Sequence, residues 1–512
     1  MNRTSGDGQL PGTVDREGTG EADTNAGADA GADADIGTDA GSNSRSPPAP
    51  ALTPSSLHSC SRELADVSFG AILDTDDEAR IQWATPDGLE VVGRGVAARF
   101  TARGPDRFET VRKQAERTFA ELDHDGPTVA RPRAFGGLSF HDSHDGRDNR
   151  GRDTDTASNT PWSGFAAASF VVPRVLVTRC DETTWLTAVA RDAETATERL
   201  HSWHDRLADF PAMRPSGSAP GVAATERTTS PAAWTDQVER ALQRIETTAL
   251  TKVVLAQSLS VSLEESIDVP ATLERLRRQY PNCYRFLVDH DADASGTFFG
   301  TPPERLVSKR GDHVETEALA GSAPRGETPE ADEEFADRLR DSEKVQHEHG
   351  LVADAIREQL TPLARKLTID EQTVRRLATI QHLQTPIDAT LDGDRHVLEL
   401  VETLHPTPAV GGMPPEAAWE TIRETETFDR GWYAAPIGWF DGDGDGEFAV
   451  GLRSGVATDE TVTLFAGNGL VADSDPAAEW NEVQLKFRPI LDELQPAGAD
   501  GIEDITGDVH SQ

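Results

Sequence analysis

Lys252 is the residue of this chain whose type and surroundings point most directly to chemistry. It lies inside the apolar run ALTKVVLAQ, and only six of the 49 lysine and arginine residues are lysine. Burial in an apolar strand disfavours the ammonium form and lowers the pKa of a lysine, so the side chain can act as a base near neutral pH. The alternative is a lysine at a strand edge whose amine reaches solvent. Lys252 is therefore a candidate base that needs partners elsewhere in the chain.

Glu304 is a candidate acid because the sequence restricts its backbone. It follows two prolines in GTPPERL and precedes a run that predicts a strand. Proline fixes φ, so the carboxyl group would have a defined position. A surface acid at the end of a turn fits the same pattern. The next segment is ETEALAGSAPRG, where small residues around Gly321 either let the backbone approach a ligand or form a plain hairpin turn.

Glu348 is predicted to be an inward-facing carboxylate. Residues 333–360 carry apolar side chains mostly at spacings of three and four, which predicts one amphipathic helix with Glu348 along its apolar stripe. A glutamate on that face needs a partner, and a cation is one solution. His347 and His349 are two residues apart and do not share a helix face, so the HExxH zinc pattern does not apply.

A second group of charged residues lies on the last predicted helix, 477–494. Glu479, Glu482 and Lys486 lie beside its apolar stripe at spacings of three and four. Glu482 and Lys486 could form an ordinary surface pair, which contributes about 0.2–0.5 kcal/mol. The rarity of lysine in this chain argues against that interpretation.

Two loops could bind ions. The run FDGDGDGEFAVGLRS begins like a calcium loop, but the twelfth position from Asp441 is Leu452 instead of a glutamate, and strand-like sequence flanks the run. It predicts a tight hairpin whose second strand carries Arg453. In FAGNGLV, a turn from Gly467 to Gly469 could present backbone amides to a carboxylate.

The elements that must position these residues are predicted to form one large mixed α/β domain, 232–495. Strand-like runs such as KVVLAQSLSVSL alternate there with helical runs such as PAAWTDQVERALQRI. Short strand-like runs fill 56–212, which we interpret as a smaller N-terminal part. A segment rich in Pro, Ser, Gly and Thr, 213–231, is predicted to link the two.

Three polar segments are predicted to lie outside the folded core. Residues 1–55 almost lack large apolar side chains, which is typical of a disordered acidic tail, and 496–512 is predicted to be a flexible C-terminal tail. Residues 141–160 interrupt foldable sequence and predict an extended surface loop. Its two histidines are interpreted as part of a solvated composition and not as metal ligands.

The charge and the cysteines of the chain exclude several classes of partner and site. With 89 acidic and 49 basic residues the formal net charge is −40, so nucleic acid is not an expected partner. The acid excess and the preference for arginine indicate a salt-adapted, halophilic protein. Three cysteines without CxxC spacing indicate neither a disulfide framework nor a thiolate metal site. Without a membrane-length apolar run or a signal-peptide pattern, a cytoplasmic protein is predicted.

Nine motifs in order resemble those of the chorismate-utilising enzymes, and among them most closely the isochorismate synthases. They are TKVVLA, GTPPERL, ALAGSAPRG, EH, HLQTP, LHPTPAVGG, RGWYAAPIGW, GEFAVGLRS and AGNGLVADSDPAAEWNEVQLK. The resemblance covers about 228–494, and FGGLSF with FVVPR is similar to the N-terminal part of that group. It implies an α+β fold with large β-sheets packed face to face and helices on the outside. It also implies a Mg2+-dependent reaction in which water attacks C2 of chorismate and the C4 hydroxyl leaves, giving isochorismate for menaquinone or siderophore synthesis.

The resemblance also implies roles for individual residues. By position, Lys252 resembles the general base for the attacking water and Glu304 the general acid for the departing hydroxyl. Glu348 and Glu482 match the magnesium ligands, with Glu479 as a further candidate. The residues expected to bind the substrate are Arg453, Lys486, Tyr433, His382, Gly321, Ala409, Gly467 and Gly469. No protein partner is implied, so a monomer is expected.

The residue at position 252 also separates these relatives by nucleophile. Family members that use ammonia, such as anthranilate synthase component I, usually carry glutamine where this chain has Lys252. Ala320 stands where aminodeoxychorismate synthases carry a nucleophilic lysine, so both positions favour water. Salicylate synthases share the lysine but tend to have threonine in place of Ala409. Salicylate synthase activity is therefore the second expectation.

Three residues depart from the pattern of the family. Val345 replaces an acid three residues before Glu348, Gln257 replaces a common arginine, and Asn468 replaces a small residue in the glycine turn. None of them removes a predicted catalytic group or metal ligand, so activity is expected. Val345 and Asn468 support the alternative of a non-catalytic homologue that binds a small carboxylate.

Overall fold

The computed structural model describes residues 56–496, apart from 66, 74–77, 145–159, 210–216, 291–295, 379 and 459. The predicted tail 1–55, most of the predicted loop 141–160 and nearly all of the predicted tail 496–512 lie outside these residues. Among the residues that the structure describes, no helix has the length and apolar character needed to span a membrane.

The described residues form 23 strands and ten α-helices. The strands are β1 Leu57–Leu64, β2 Arg80–Ala84, β3 Glu90–Arg94, β4 Ala98–Ala102, β5 Leu122–Asp125, β6 Ala134–Leu138, β7 Ala168–Val172, β8 Val175–Cys180, β9 Thr183–Ala190, β10 Val222–Arg227, β11 Lys252–Leu263, β12 Arg285–Asp289, β13 Thr297–Gly300, β14 Arg305–Arg310, β15 His313–Pro324, β16 Ala364–Ile369, β17 Thr373–Arg376, β18 Ile380–Leu391, β19 Gly412–Met413, β20 Pro436–Phe440, β21 Gly446–Val450, β22 Ser454–Thr458 and β23 Thr461–Leu470. The helices are α1 Phe69–Leu73, α2 Arg107–Phe119, α3 Ala193–Ala208, α4 Pro231–Thr247, α5 Val269–Gln279, α6 Pro329–Asp341, α7 Glu343–Leu360, α8 Val397–Leu404, α9 Pro415–Thr425 and α10 Pro476–Leu494.

The strands form two large sheets that share one hydrophobic core. The first sheet has the order β10-β11-β23-β22-β13-β12-β2-β3-β8-β9-β1-β5, with β19 beside β11. The second has the order β16-β18-β15-β14-β21-β20-β6-β7-β4, with β17 beside β18. Helices α4, α5 and α10 pack on the first sheet, and α2, α7 and α8 pack on the second. The predicted mixed α/β fold with large sheets is confirmed.

Both sheets combine early and late strands of the chain. Strand β12 pairs with β2 in the first sheet, and β20 pairs with β6 in the second. The segment that we predicted as a linker contributes β10, which pairs with β11. The early strands are therefore part of the same two sheets as the strands that carry the candidate residues.

Strand β11 is an interior strand of the first sheet, where β23 pairs along one side and β10 and β19 along the other. Helices α4, α9 and α10 contact it, and its first eight residues are buried. Burial favours the apolar and β-branched side chains of this run. Lys252 is the one charged residue among these eight.

The long helix predicted over 333–360 is two helices, because Ser342 interrupts it. Ser342 has an extended ψ of 111°, its backbone N–H closes α6 on Arg338, and its hydroxyl accepts a hydrogen bond from the N–H of Val345 at 3.3 Å. Serine competes well for such backbone groups, so it caps the start of a helix more readily than it continues one. The prediction of a single helix was wrong, but α7 still presents Glu348 inward.

The DGDGDG segment forms the predicted hairpin between β20 and β21. The carboxylate of Asp441 accepts hydrogen bonds from the N–H groups of Asp443 and Asp445, and Lys309 Nζ lies 2.6 Å from Asp445 Oδ1. Arg453, however, does not lie on the second strand. It follows β21 in a left-handed conformation with φ of 46°, where the chain leaves the second sheet for β22 of the first.

Two further predictions from local sequence were wrong. Gly467, Asn468 and Gly469 form no turn but belong to β23, opposite β11. His144 is not solvated: it is buried, with Nδ1 2.5 Å from Asp429 Oδ2 and Nε2 donating to the carbonyl of Phe165 at 2.9 Å. Pairing with distant parts of the chain decided both cases.

Candidate active site

A cavity of about 260 Å³ brings the candidate residues together. Its walls come from β11, β15, β18, β23, α7 and α10. All thirteen residues singled out in the sequence line it: Lys252, Glu304, Gly321, Glu348, His382, Ala409, Tyr433, Arg453, Gly467, Gly469, Glu479, Glu482 and Lys486.

Two segments that cross between the sheets carry Glu304 and Arg453. The chain passes from β13 to β14 through Glu304, and from β21 to β22 through Arg453. The N–H of Thr301 donates to the carbonyl of Arg453 at 3.0 Å, and the N–H of Val450 donates to the carbonyl of Glu304 at 3.2 Å. These two hydrogen bonds fix the acid and the guanidinium relative to each other.

Lys252 is buried at the start of β11 with 1% of its surface exposed, and its Nζ donates to Glu348 Oε1 at 2.8 Å. Gly469 makes this pair possible, because a Cβ at that position would lie 2.9 Å from Lys252 Cε and 3.3 Å from Glu348 Oε1. The buried amine therefore has an opposite charge as its direct partner. The sequence did not reveal this pairing, because the two residues lie on different elements.

Glu304 is the acid of the cavity. Burial and, next, the charge of Glu317 raise its pKa to about 8, although Lys252 and Arg375 act in the opposite direction. Within the part of the chain described, no donor is hydrogen-bonded to its carboxyl group. Glu304 is therefore protonated at neutral pH and can give up a proton to a group bound in the cavity.

Glu482 and Glu479 on α10 form a second carboxylate group. Although burial alone would raise the pKa of Glu482, Lys486 at 3.0 Å and Asn468 outweigh it and lower the pKa. Burial, together with the charge of Glu482, raises the pKa of Glu479. The side chain of Asn468 connects the group, because its Nδ2 donates to Glu479 and its Oδ1 accepts from Lys486 Nζ at 2.8 Å.

These carboxylates fit a hard divalent cation by their chemistry. Glu348, Glu479 and Glu482 come from two helices and supply only oxygen donors, which Mg2+ prefers. In the structure each of these carboxylates faces a nitrogen donor: Lys252 for Glu348, Asn468 for Glu479 and Lys486 for Glu482. The one described group of three side chains with ligand atoms within 4.8 Å of one another is instead His313, Glu315 and Asp388 on the second sheet.

Arg453 is a half-buried guanidinium without a carboxylate partner among the described residues. Burial lowers its pKa, and the contacts that it makes are with Cys283 Sγ at 4.0 Å and the ring of Tyr280 at 5.6 Å. An unpaired charge in such a place is costly to the folded protein. An anionic group in the cavity would offset that cost, and the planar guanidinium suits a carboxylate.

Neutral groups complete the walls of the cavity. Burial, with the nearby Arg453, lowers the pKa of His382 to about 3, and its Nδ1 lies 3.1 Å from the carbonyl of Gly321. That carbonyl can only accept, so Nδ1 carries the proton and Nε2 is an acceptor. Tyr433 stacks on Phe465 with ring centroids 5.4 Å apart.

Gly321 and Val345 explain one departure from the family pattern. Gly321 has φ of 73°, and a Cβ there would lie 2.4 Å from Val345 Cγ1. Gly321 lies on β15 and forms no hairpin turn, and the valine methyl fills the space beside it at the rim of the cavity. Gln257 lies buried on β11 with no partner for Nε2 among the described residues, and nothing in the structure explains its choice.

Two lining residues were missed by sequence reasoning. Lys344 lies on the rim, one helical turn before Glu348 on α7, and Ser322 contacts His382 at 3.1 Å. The lysine was detectable, since it is one of only six and lies four residues before a candidate ligand. Ser322 gives no such signal, because small residues surround it.

A buried ion pair fastens β11 behind the cavity. Arg430 and Glu426 have side chains only 0% and 4% exposed, and they pair at 2.5 Å. Arg430 also donates to the carbonyls of Val254 and Val410, while Glu426 accepts from the N–H of Ala256 at 2.8 Å. The pair holds the strand that carries Lys252.

We expect Arg430→Met to lower the free energy of unfolding by about 3–5 kcal/mol, because it leaves the Glu426 carboxylate buried and unpaired. Denaturant-induced unfolding measures this. Arg244→Met is the matched control, since Arg244 pairs with Glu424 at 2.9 Å on the surface and should lose no more than about 1 kcal/mol. Equal losses in the two variants would contradict the structural role of Arg430.

Comparison with known proteins agrees with this geometry. Residues 51–495 match the family model described as chorismate binding enzyme. The isochorismate synthase of salicylate biosynthesis from Pseudomonas aeruginosa is 35% identical over 444 residues, which cover 85% of this chain and 88% of that protein. Isochorismate synthase MenF from Bacillus subtilis is 33% identical over 435 residues, 81% and 88% of the two chains. The solved structure of MenF, the menaquinone-specific isochorismate synthase from Escherichia coli, matches with a TM-score of 0.72 at 24% identity, covering 86% of this chain and 95% of that one. At that identity the structural match concerns the fold.

Proposed function

Since this chain belongs to the chorismate-binding enzyme family, we propose that it is an isochorismate synthase that converts chorismate to isochorismate. One observation carries the proposal. A buried lysine and a protonated glutamic acid line the same cavity as a half-buried guanidinium that lacks a carboxylate partner among the described residues. The exchange of a hydroxyl group on a dicarboxylate requires a base for the attacking water, an acid for the departing hydroxyl and a site that binds a carboxylate.

The proposed reaction is an exchange of one oxygen for another. Lys252 accepts a proton from the water whose oxygen bonds to C2, the ring double bonds shift, and the C4–O bond breaks. Glu304 gives its proton to the departing hydroxyl, which leaves as water, so one water enters and one leaves. The raised pKa of Glu304 favours the protonated form that this step needs.

Other residues of the cavity hold the substrate in this scheme. Arg453 and Lys486 each bind a substrate carboxylate, and Arg453 can do so with two parallel hydrogen bonds. Glu348 and Glu482 would hold Mg2+, with Glu479 beside them. When bound, that ion would supply positive charge to these carboxylates and to the ring carboxylate of the substrate.

The product assay tests the function. Purified protein with chorismate, Mg2+ and high salt should yield isochorismate in a reversible equilibrium, separated by chromatography. Salicylate and pyruvate as main products would instead assign a salicylate synthase, the reaction that Ala409 argues against. Calorimetric binding of chorismate without turnover would assign a non-catalytic homologue.

The pathway is a separate part of the proposal. We infer that isochorismate serves menaquinone synthesis, because relatives of this chain carry the name MenF and MenF from Escherichia coli is described as menaquinone-specific. Deleting the gene should then deplete menaquinone, and an unchanged menaquinone content would assign another pathway.

We also propose that the protein is cytoplasmic, because its three free cysteines suit a reducing compartment. A monomer is expected.

For the metal, Glu482→Gln is expected to weaken Mg2+ binding by more than the roughly 10- to 100-fold that loss of a supporting contact costs. Calorimetric titration of the ion without substrate measures this independently of turnover. Glu343→Gln is the matched control, because Glu343 is exposed at the start of α7. Equal affinity in Glu482→Gln and the wild type would remove Glu482 from the site.

For the substrate, Arg453→Met is expected to lower kcat/KM by roughly 100-fold or more, since charge-assisted hydrogen bonds contribute about 1.5–3 kcal/mol each. The same change should not lower the free energy of unfolding, because it removes a half-buried charge that has no carboxylate partner. Steady-state kinetics measures kcat/KM, and denaturant-induced unfolding measures the free energy of unfolding. A destabilised variant with normal kcat/KM would show that Arg453 serves the fold and not the substrate.

A further inference from the structure

A second buried carboxylate, Glu317, lies behind Glu304 and outside the cavity. Glu317 is on β15, 9% exposed, and is not among the residues that line the cavity. Its charge nevertheless acts on Glu304. The scheme of base, acid and metal ligands gives it no role.

Donors on three strands hold the carboxylate of Glu317. Its Oε1 accepts from the backbone N–H of Arg305 at 3.1 Å and from Arg375 Nη1 at 2.8 Å, and its Oε2 accepts from Gln384 Nε2. Arg305, Arg375 and Gln384 lie on β14, β17 and β18. Both oxygens act as acceptors, so the group is an oriented, fixed carboxylate.

The first of these contacts bears directly on the acid. The N–H of Arg305 belongs to the peptide bond that joins it to Glu304. A hydrogen bond to this N–H restrains the rotation that would turn the Glu304 side chain away from the cavity. The carbonyl of the same peptide group accepts a hydrogen bond from the N–H of Val450, so both its N–H and its C=O are held.

The second effect is electrostatic. Three charged groups act on Glu304 from the neighbouring strands: Glu317 from β15, Lys252 from β11 and Arg375 from β17. Glu317 is the one that favours the protonated acid, and its effect exceeds that of either cation. A fixed negative charge behind a carboxyl group keeps its proton in place until a developing charge in front of it takes the proton.

We propose that Glu317 is a positioning residue for the general acid, which fixes the peptide group beside Glu304 and keeps that acid protonated through a buried negative charge. The inference rests on the proposed function, because it assigns a purpose to the acid of that reaction. It concerns a residue that never touches the substrate.

The pH dependence of kcat tests the charge. The acid must be protonated, so activity falls as pH rises through the pKa of Glu304. In Glu317→Gln this alkaline limb should move to lower pH by about one unit or more. Glu317→Asp keeps the charge but shortens the reach to the Arg305 N–H, so kcat should fall while the limb stays near the wild-type position. A limb at the wild-type pH in a folded, active Glu317→Gln variant would overturn the proposal.

Glu315→Gln is the matched control. Glu315 lies two residues earlier on β15, is exposed and also contacts Arg305, through Nη1 at 2.6 Å. Its alkaline limb should coincide with that of the wild type. If Glu317→Gln fails to fold, Arg375→Gln provides the second test. It leaves the negative charge and removes the opposing cation, so the limb should move to higher pH, and no movement would overturn the proposal.

Infrared spectroscopy separates failure of this inference from failure of the proposed function. A protonated carboxylic acid at neutral pH gives a carbonyl stretch that carboxylates lack, and Glu304→Gln identifies the band. The band should titrate at lower pH in Glu317→Gln, whether or not the protein turns over chorismate. A product assay without isochorismate would refute the function alone, and an unshifted band would refute the inference alone.

Discussion

Lys252→Gln is expected to lower kcat for isochorismate formation by about 10²- to 10⁴-fold, the range that removal of a general base produces. An amide cannot accept the proton of the attacking water, while its size still fills the start of β11. Steady-state kinetics with product chromatography measures the loss. Calorimetric binding of chorismate should change far less than kcat, because the carboxylate contacts of Arg453 remain.

Lys309→Gln is the matched control for this variant. Lys309 is equally buried, at 1% exposed, and it forms a comparable ion pair with Asp445 at 2.6 Å, but it lies outside the cavity. Both variants should lose stability, and only Lys252→Gln should lose turnover. Near-normal turnover in Lys252→Gln, or an equal loss in both, would remove the base assignment.

Glu304→Gln is expected to show two effects of opposite sign. The value of kcat should fall by about 10²- to 10⁴-fold, because an amide cannot donate the proton that the departing hydroxyl needs. Stability relative to the wild type should rise with pH. Glu304 has an ordinary pKa of 4.5 when unfolded and about 8 when folded, so between these values the unfolded chain has already lost a proton that the folded protein retains.

The size of the stability effect follows from proton linkage. In the window from 4.5 to about 8, wild-type stability decreases by up to about 1.4 kcal/mol for each pH unit on account of this one group. Glutamine does not titrate, so the difference between Glu304→Gln and the wild type should grow across the window. Denaturant unfolding at its two ends measures it, with Glu315→Gln as a control that should show no such trend. A constant difference would mean that Glu304 is ionised in the folded protein.

Local sequence patterns predicted the elements that carry the site. Strand β11 and helices α4 and α10 lie where their apolar runs and spacings place them, because their patterns agree with their packing. The order of short motifs selected thirteen residues that meet at one cavity. Each motif is local, so the sequence could identify it without knowledge of the pairing of distant strands.

The remaining features depend on contacts between distant segments. The hydrogen bonds of Glu317, the bonds from Arg430 and Glu426 to β11, and the bond of Lys252 to Glu348 all join different elements. The glycines of β23 suggested a turn because their composition is typical of one, and only pairing with β11 makes them a strand. The apolar run before Arg453 suggested that the strand continues through it. Its left-handed backbone comes instead from the crossing between the sheets, which the local sequence does not show.

The two crossing segments separate the acid and the substrate anchor from the base. Backbone hydrogen bonds join these two segments, because Thr301 donates to the carbonyl of Arg453 and Val450 donates to the carbonyl of Glu304. Lys252 lies on β11, which takes no part in these bonds. A substitution on β11 can therefore change the base, and with it the nucleophile, while the acid and the substrate anchor keep their backbone positions.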